Sequence, residues 1–175
     1  MSLPTSIWGN TYDVYTSVPG PTSTSPGGSN GPVLGNSAIL ADGSVIQFLQ
    51  LVGATNPANA ALKISVWTTY KVTPTTATND LCMAVNDLAG GSASNPNSAT
   101  SGAAVTQNYC AWVKKGGLAF PLVAASVGAE DVLAPSATAG VLETAVAATH
   151  FQSNIVNTVV VGGAQAVSPV YIMVG

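Results

Sequence analysis

Acid–base chemistry in this chain has to begin with His150, its one histidine. A Ser–His–Asp triad would use it as general base, yet no serine stands in a GxSxG elbow. Glu130 and Asp131 are adjacent carboxylates, the type of pair that runs glycoside hydrolysis when it converges on one bond. Neighbouring residues of a strand point to opposite faces, so this pair reads as a turn with solvated acids. A hydrolase would need Glu130, Asp131, Glu143 and His150 on one cleft, and no spacing brings them there. The expectation is a protein that is not an enzyme, with no catalytic residues.

Metal and phosphate chemistry are equally thin. Cys82 and Cys110 each sit in an apolar run and form no CxxC, which with a single histidine makes zinc a poor fit. Two free buried thiols or a disulfide between neighbouring strands both remain open. No DxDxDG loop offers calcium its oxygens. Gly27-Gly28 and Gly90-Gly91 lack the Gly-Lys-Ser/Thr ending of a phosphate loop. No metal and no cofactor is expected. A Lys–Asn isopeptide link would require a lysine, an asparagine and a carboxylate together in the core, and the sequence does not place them.

Composition points to surfaces rather than catalysis. The 175 residues are 47% hydrophobic but only 6% charged, against the usual ~25% charged. All four cations are lysines: Lys63, Lys71, Lys114 and Lys115. A lone soluble monomer ordinarily carries more charge, so a subunit packed into an assembly is favoured over a secreted β-protein with a neutral polar surface. Nucleic acid is not an expected partner, because phosphates call for clustered Lys or Arg and the net charge is -3. No run approaches the ~20 apolar residues of a membrane helix, so no membrane partner is expected. Met1–Thr5 carries neither a basic nor an apolar leader region, which suits folding in a cytoplasm.

Those surfaces must be carried by two regions. Residues 1–36 are rich in Pro and Gly, which argues against regular elements, yet they hold Trp8, Tyr12 and Tyr15. Truly disordered segments are poor in aromatics, so these three are the candidate protein-interface anchors of an extended N-terminal arm. The arm docks either on its own domain or on a neighbouring subunit. Residues 37–175 read as β throughout. Ser44–Val52 follows an Asp42-Gly43 turn, and residues 62–72 alternate like one half-buried strand ended by Pro74. Asn108–Lys115 reads as a strand stopped by Gly116-Gly117, and residues 156–161 and 170–174 as the last two. Residues 89–104 form a long small-residue loop. Glu143–Phe151 alone has helix-like composition, and it is too short to be stable by itself. Turn signals every ~8–12 residues without a βαβ unit give an all-β fold: a small antiparallel β-sandwich or barrel.

From Val72 onward the chain resembles the capsid cement, or head decoration, proteins of tailed phages. The pieces that carry the likeness are Ala84-Val85-Asn86-Asp87, Trp112 to Gly116, Ala129 to Leu133 and Ser136 to Gly140. The likeness covers roughly residues 72–175 and leaves the arm out; the loop at 89–104 is longer and richer in Ser and Asn than that family's turn. It implies a compact β domain on the outer capsid surface of a virion assembled in the host cytoplasm. The implied partners are the major capsid protein and further copies of the chain, as a trimer or dimer, with no cofactor. The alternative is a tail or fibre module that binds a host receptor or glycan, with Trp67 and Trp112 as an aromatic platform.

Overall fold

A computed structural model describes residues 33–40, 42–66, 69–88, 102–146 and 154–173, together with the backbone of three short strands nearer the N-terminus. The fold is all-β, and no α-helix occurs among the described residues. Its centre is a closed barrel of five strands. These are β5 (Val45–Leu51), β6 (Ala60–Val66), β7 (Lys71–Pro74), β8 (Ala84–Asn86) and β9 (Cys110–Ala119). The ring runs β9-β8-β6-β7-β5 and shuts where β5 pairs with β9 from Val45↔Gly116 to Gln50↔Cys110. All its pairings are antiparallel except β5 with β7.

Every barrel strand sends side chains into one cluster: Leu49 and Leu51, Ala60 and Leu62, Val72, Ala84, and Ala111 and Val113. A small barrel is filled by such side chains and leaves no lumen. The alternate residues face outward and are covered in turn. On one flank, Ala38 and Leu40 of β4 (Ser37–Leu40) pack with Ile46, Phe48, Leu88, Cys110 and Trp112. On the other, a second sheet lies over Ala61 and Val85. That sheet has the order β11 (Leu133–Pro135), β12 (Val141–Thr144), β10 (Leu122–Val123), β14 (Ala166–Val167). Beyond β9 the large sheet continues through β15 (Val170–Ile172) to β13 (Ile155–Asn157).

Two glycines fix the joins. Gly117 has φ +85, and a Cβ there would come within 2.9 Å of the Ser44 Cα. It follows a bulge: Ile46 faces Lys114 and Val45 faces Gly116, leaving Lys115 as the extra residue. The bend turns β9 from β5 toward β15 while the strand stays continuous. Gly140, at φ +73, abuts Ala60 and exchanges backbone hydrogen bonds with Thr75 and Ala61, tying the second sheet to the barrel.

Several expectations give way here. Gly116-Gly117 bends β9 instead of ending it. Residues 62–72 are a hairpin and not one strand: β6 stops at Val66, Tyr70 takes φ +53, and Lys63↔Thr73 pair across the turn. Glu143 and Thr144 are strand, so no helix starts there, and residues 147–151 lie outside the described set. Residues 158–161 are not strand, while the unanticipated β14 is. The arm also holds regular elements: β1 (Thr5–Ile7) pairs with β2 (Asn10–Tyr12), and β3 (Val14–Tyr15) adds in parallel to β4.

Candidate interaction surface and buried charge site

Of the three expected anchors, Trp8 lies outside the described residues. Tyr12 ends β2 opposite Thr5, and Tyr15 stands on β3 in register with Leu40. The backbone at Val14-Tyr15 therefore docks on its own domain. Of the two platform tryptophans, Trp67 lies outside the described residues and Trp112 is core. Trp112 is only 2% exposed and packs on Phe48 with ring centroids 5.4 Å apart. An aromatic platform on Trp112 is thereby overturned, because β9 turns that face inward.

The acids do not converge on a cleft. Asp131 accepts hydrogen bonds from the Gly128 amide and the Thr144 hydroxyl, each at 2.8 Å, which hold its carboxyl below the usual range. Glu130 is exposed at φ +68, Glu143 is half-buried on β12 opposite Ala134, and His150 lies outside the described residues. Asp80 caps the turn after β7, binding the amides of Thr76 and Ala77 and pairing with Lys63 at 2.8 Å. A groove of about 420 Å³ lined by Lys63, Ile64, Asn79, Asp80, Leu81 and Met83 opens beside that pair, and its two charges neutralise each other. No group of three metal-ligating side chains occurs among the described residues. Nor is any described helix long and apolar enough to cross a membrane.

Among the described residues, charge and burial coincide at one place, inside the barrel wall. Lys114 points outward from the barrel but under the covering layers, between Ile46 on β5 and Val85 on β8. Its ammonium donates to the Leu118 carbonyl at 2.6 Å and lies 6.0 Å from the Phe120 ring centroid. Asp87, at the end of β8, accepts the Phe120 amide at 2.9 Å and stands 3.9 Å from the ammonium. Burial pushes the Asp87 carboxyl up to about 6, against the pull of Lys114 and that amide. Burial likewise pulls Lys114 down, against Asp87 and Asp42. The site is sealed and serves as a polar bolt between β8, β9 and the strand end at Phe120. A signal for it existed: Lys114 is two residues from Trp112, hence on the same face of the strand.

Cys82 and Cys110 are both free and buried, in different clusters on either flank of the barrel. Compared with known proteins, the chain matches no family model, and no curated protein aligns with it.

Proposed function

We propose that the chain is a structural virion protein of the cement type, which binds the outer capsid surface and stabilises contacts between major capsid protein subunits. The observation that supports this best is a rigid closed barrel with a surface nearly free of charge, 6% of residues being charged. Exposed large apolar side chains such as Tyr171 and Met173 suit broad protein contact. The four pieces of sequence that carry the cement-protein likeness fall on the framework. Ala84–Asp87 and Trp112–Gly116 hold the buried Asp87–Lys114 bolt. Ala129–Leu133 forms the turn into β11, and Ser136–Gly140 the turn that docks on Ala60. The likeness is therefore to the scaffold, and binding falls to the outer surface and the arm.

A protein that binds only the assembled lattice stabilises it by mass action, and many copies in parallel multiply a modest interface. Residues 1–13 lie ahead of the β3 anchor, with Thr5–Tyr12 folded back as the β1–β2 hairpin, and this hairpin is the part of the arm that would contact a neighbouring subunit. Trp8 and Tyr12 are the contacts assigned to that hairpin, with Tyr15 at its root. The test is the molar ratio of this chain to the major capsid protein in purified particles. Comparable amounts are expected. A trace amount would fit a tail or fibre module instead, and absence would remove the virion reading.

A further inference from the structure

Lys114 and Asp87 meet at the thinnest seam of the barrel. Among the described residues β8 pairs with β9 only at Val85↔Lys114, against the long β5–β9 ladder. Lys114 belongs to that one pair, and Asp87 directly follows β8. Both side chains are wholly inaccessible to water, with the Lys114 Nζ 3.9 Å from the Asp87 Oδ2. They are the only charged side chains buried among the described residues. An amine and a carboxyl, the two halves of an amide, are thus confined together in the core.

The backbone groups around the pair already match an amide. Asp87 Oδ2 accepts the Phe120 amide at 2.9 Å, while Oδ1 is buried with no hydrogen-bond partner among the described residues. The Lys114 ammonium donates to the Leu118 carbonyl at 2.6 Å. An amide joining the two side chains has one C=O and one N–H. The Phe120 amide serves the first and the Leu118 carbonyl the second, and loss of Oδ1 gives up no hydrogen bond. Both desolvated charges vanish in such a product. Burial already favours its precursors, pushing the Asp87 carboxyl up to about 6 and Lys114 down, towards neutral acid and neutral amine. The neighbouring Asn86 is not the acyl donor, because its Nδ2 is held by the Pro57 and Ala103 carbonyls.

We propose that Lys114 and Asp87 condense, with no other reactant, into an intramolecular isopeptide bond that staples β8 to β9. One ammonium proton first passes to the carboxylate, giving a neutral amine and a neutral acid. The Nζ lone pair then attacks Asp87 Cγ and forms the C–N bond, and charge building on Oδ2 is met by the Phe120 amide. The Cγ–Oδ1 bond breaks with its electron pair on Oδ1, a second proton follows from nitrogen, and Oδ1 leaves as water. The third proton stays on nitrogen, facing Leu118. Nζ and Cγ must close to ~3–3.5 Å, and confinement in the folded core replaces the encounter that free acid and amine would need. Asp42, the other carboxylate whose charge acts on the pair, is exposed and binds the Ser44 amide and hydroxyl. With no third buried carboxyl among the described residues to carry protons, the step is slow. Newly folded protein therefore holds the ion pair, and the link accumulates with age. Once made, it closes residues 88–113 into a covalent loop, which restricts the unfolded chain as a disulfide does. This inference stands whether or not the capsid reading holds.

The test is the intact mass of the full chain, kept folded at ambient temperature for two weeks and then denatured. Most chains are expected to be one water lighter than the sequence requires, and Lys114→Arg to keep its full mass. Chymotrypsin cuts after Tyr109 and Trp112, between the two residues, so a digest of the aged chain should hold a fragment bearing Asp87 joined to one bearing Lys114. Three results would overturn the proposal: full mass in most aged chains, a lost water that persists in Lys114→Arg (a succinimide at an aspartate), or a lighter chain without the joined fragment. The wild-type mass and digest decide alone if Lys114→Arg does not fold.

Discussion

Lys114 and Asp87 face each other across 3.9 Å inside the barrel wall, each side chain wholly inaccessible to water. At that separation the pair is not a direct hydrogen bond, and each partner is held by a backbone group instead. Desolvation outweighs attraction on both sides: the carboxyl is pushed up and the ammonium pulled down. The bolt therefore contributes less to stability than its burial suggests, while the loss of either partner leaves the other charge stranded.

A double-mutant cycle tests that asymmetry. Asp87→Asn keeps an oxygen for the Phe120 amide but strands the Lys114 ammonium, and Lys114→Met strands the carboxylate. Lys114→Met is expected to cost about 3 kcal/mol or more in urea unfolding at neutral pH, and Asp87→Asn clearly less, because burial already disfavours the wild-type carboxylate. The double variant should cost less than the sum by at least ~1 kcal/mol. Additive losses would show that the two charges do not interact.

The same pair sets an unusual pH response. A raised carboxyl pKa gives a contribution that is fully present below the unfolded value near 3.8 and lost as pH rises through about 6. Acidification from about pH 7 to about pH 4.5 should therefore stabilise the protein, by at most about 3 kcal/mol. Asp80 and Asp131 act with the opposite sign: their lowered values give stability that is lost as pH falls below 3.8. Urea midpoints against pH should show a maximum near about pH 4, and Asp87→Asn should lack the limb above it. Lys114→Met should move that limb to higher pH, because the carboxyl loses its cation.

Much of the architecture was legible in the sequence, and the misses share a cause. Alternation and turn residues mark the β class and several of the strands. They miss the turn at Tyr70, since a hairpin whose two arms continue the same alternation looks like one strand. They also take Gly116-Gly117 as a stop, because a bulge differs from a turn only in what lies across it, here Ser44 and Val45. Asp87 and Lys114 look like solvated charges until the covering layers are in place. The likeness to cement proteins marked framework residues, and framework positions do not identify a partner.

Gly140 gives a local test of how the second sheet is fastened. At φ +73 a side chain is strained, and a Cβ would stand 2.7 Å from that of Ala60. Gly140→Ala should cost about 2–3 kcal/mol, from strain plus displacement of the turn that bonds Thr75 and Ala61. Gly43 has a similar φ of +85 but nothing within 4 Å, so Gly43→Ala should cost only about 1 kcal/mol. Thermal unfolding of both variants separates backbone strain from the packing clash. Equal losses would mean that the contact with Ala60 is unimportant.

The thiols report on the two flanks of the barrel separately. Burial pushes Cys82 up to about 12, and burial raises Cys110 as well. The thiolate is the reactive form, so neither should react with a thiol reagent in the native protein at neutral pH. Cys82 lies under the second sheet and Cys110 under β4, so each becomes reactive only when its own cover lifts. In low urea, Gly140→Ala should hasten modification of Cys82 while leaving Cys110 at its wild-type rate. Full denaturation should release both thiols without a reductant. Equal acceleration at both sites would mean that the covering layers and barrel open as one unit.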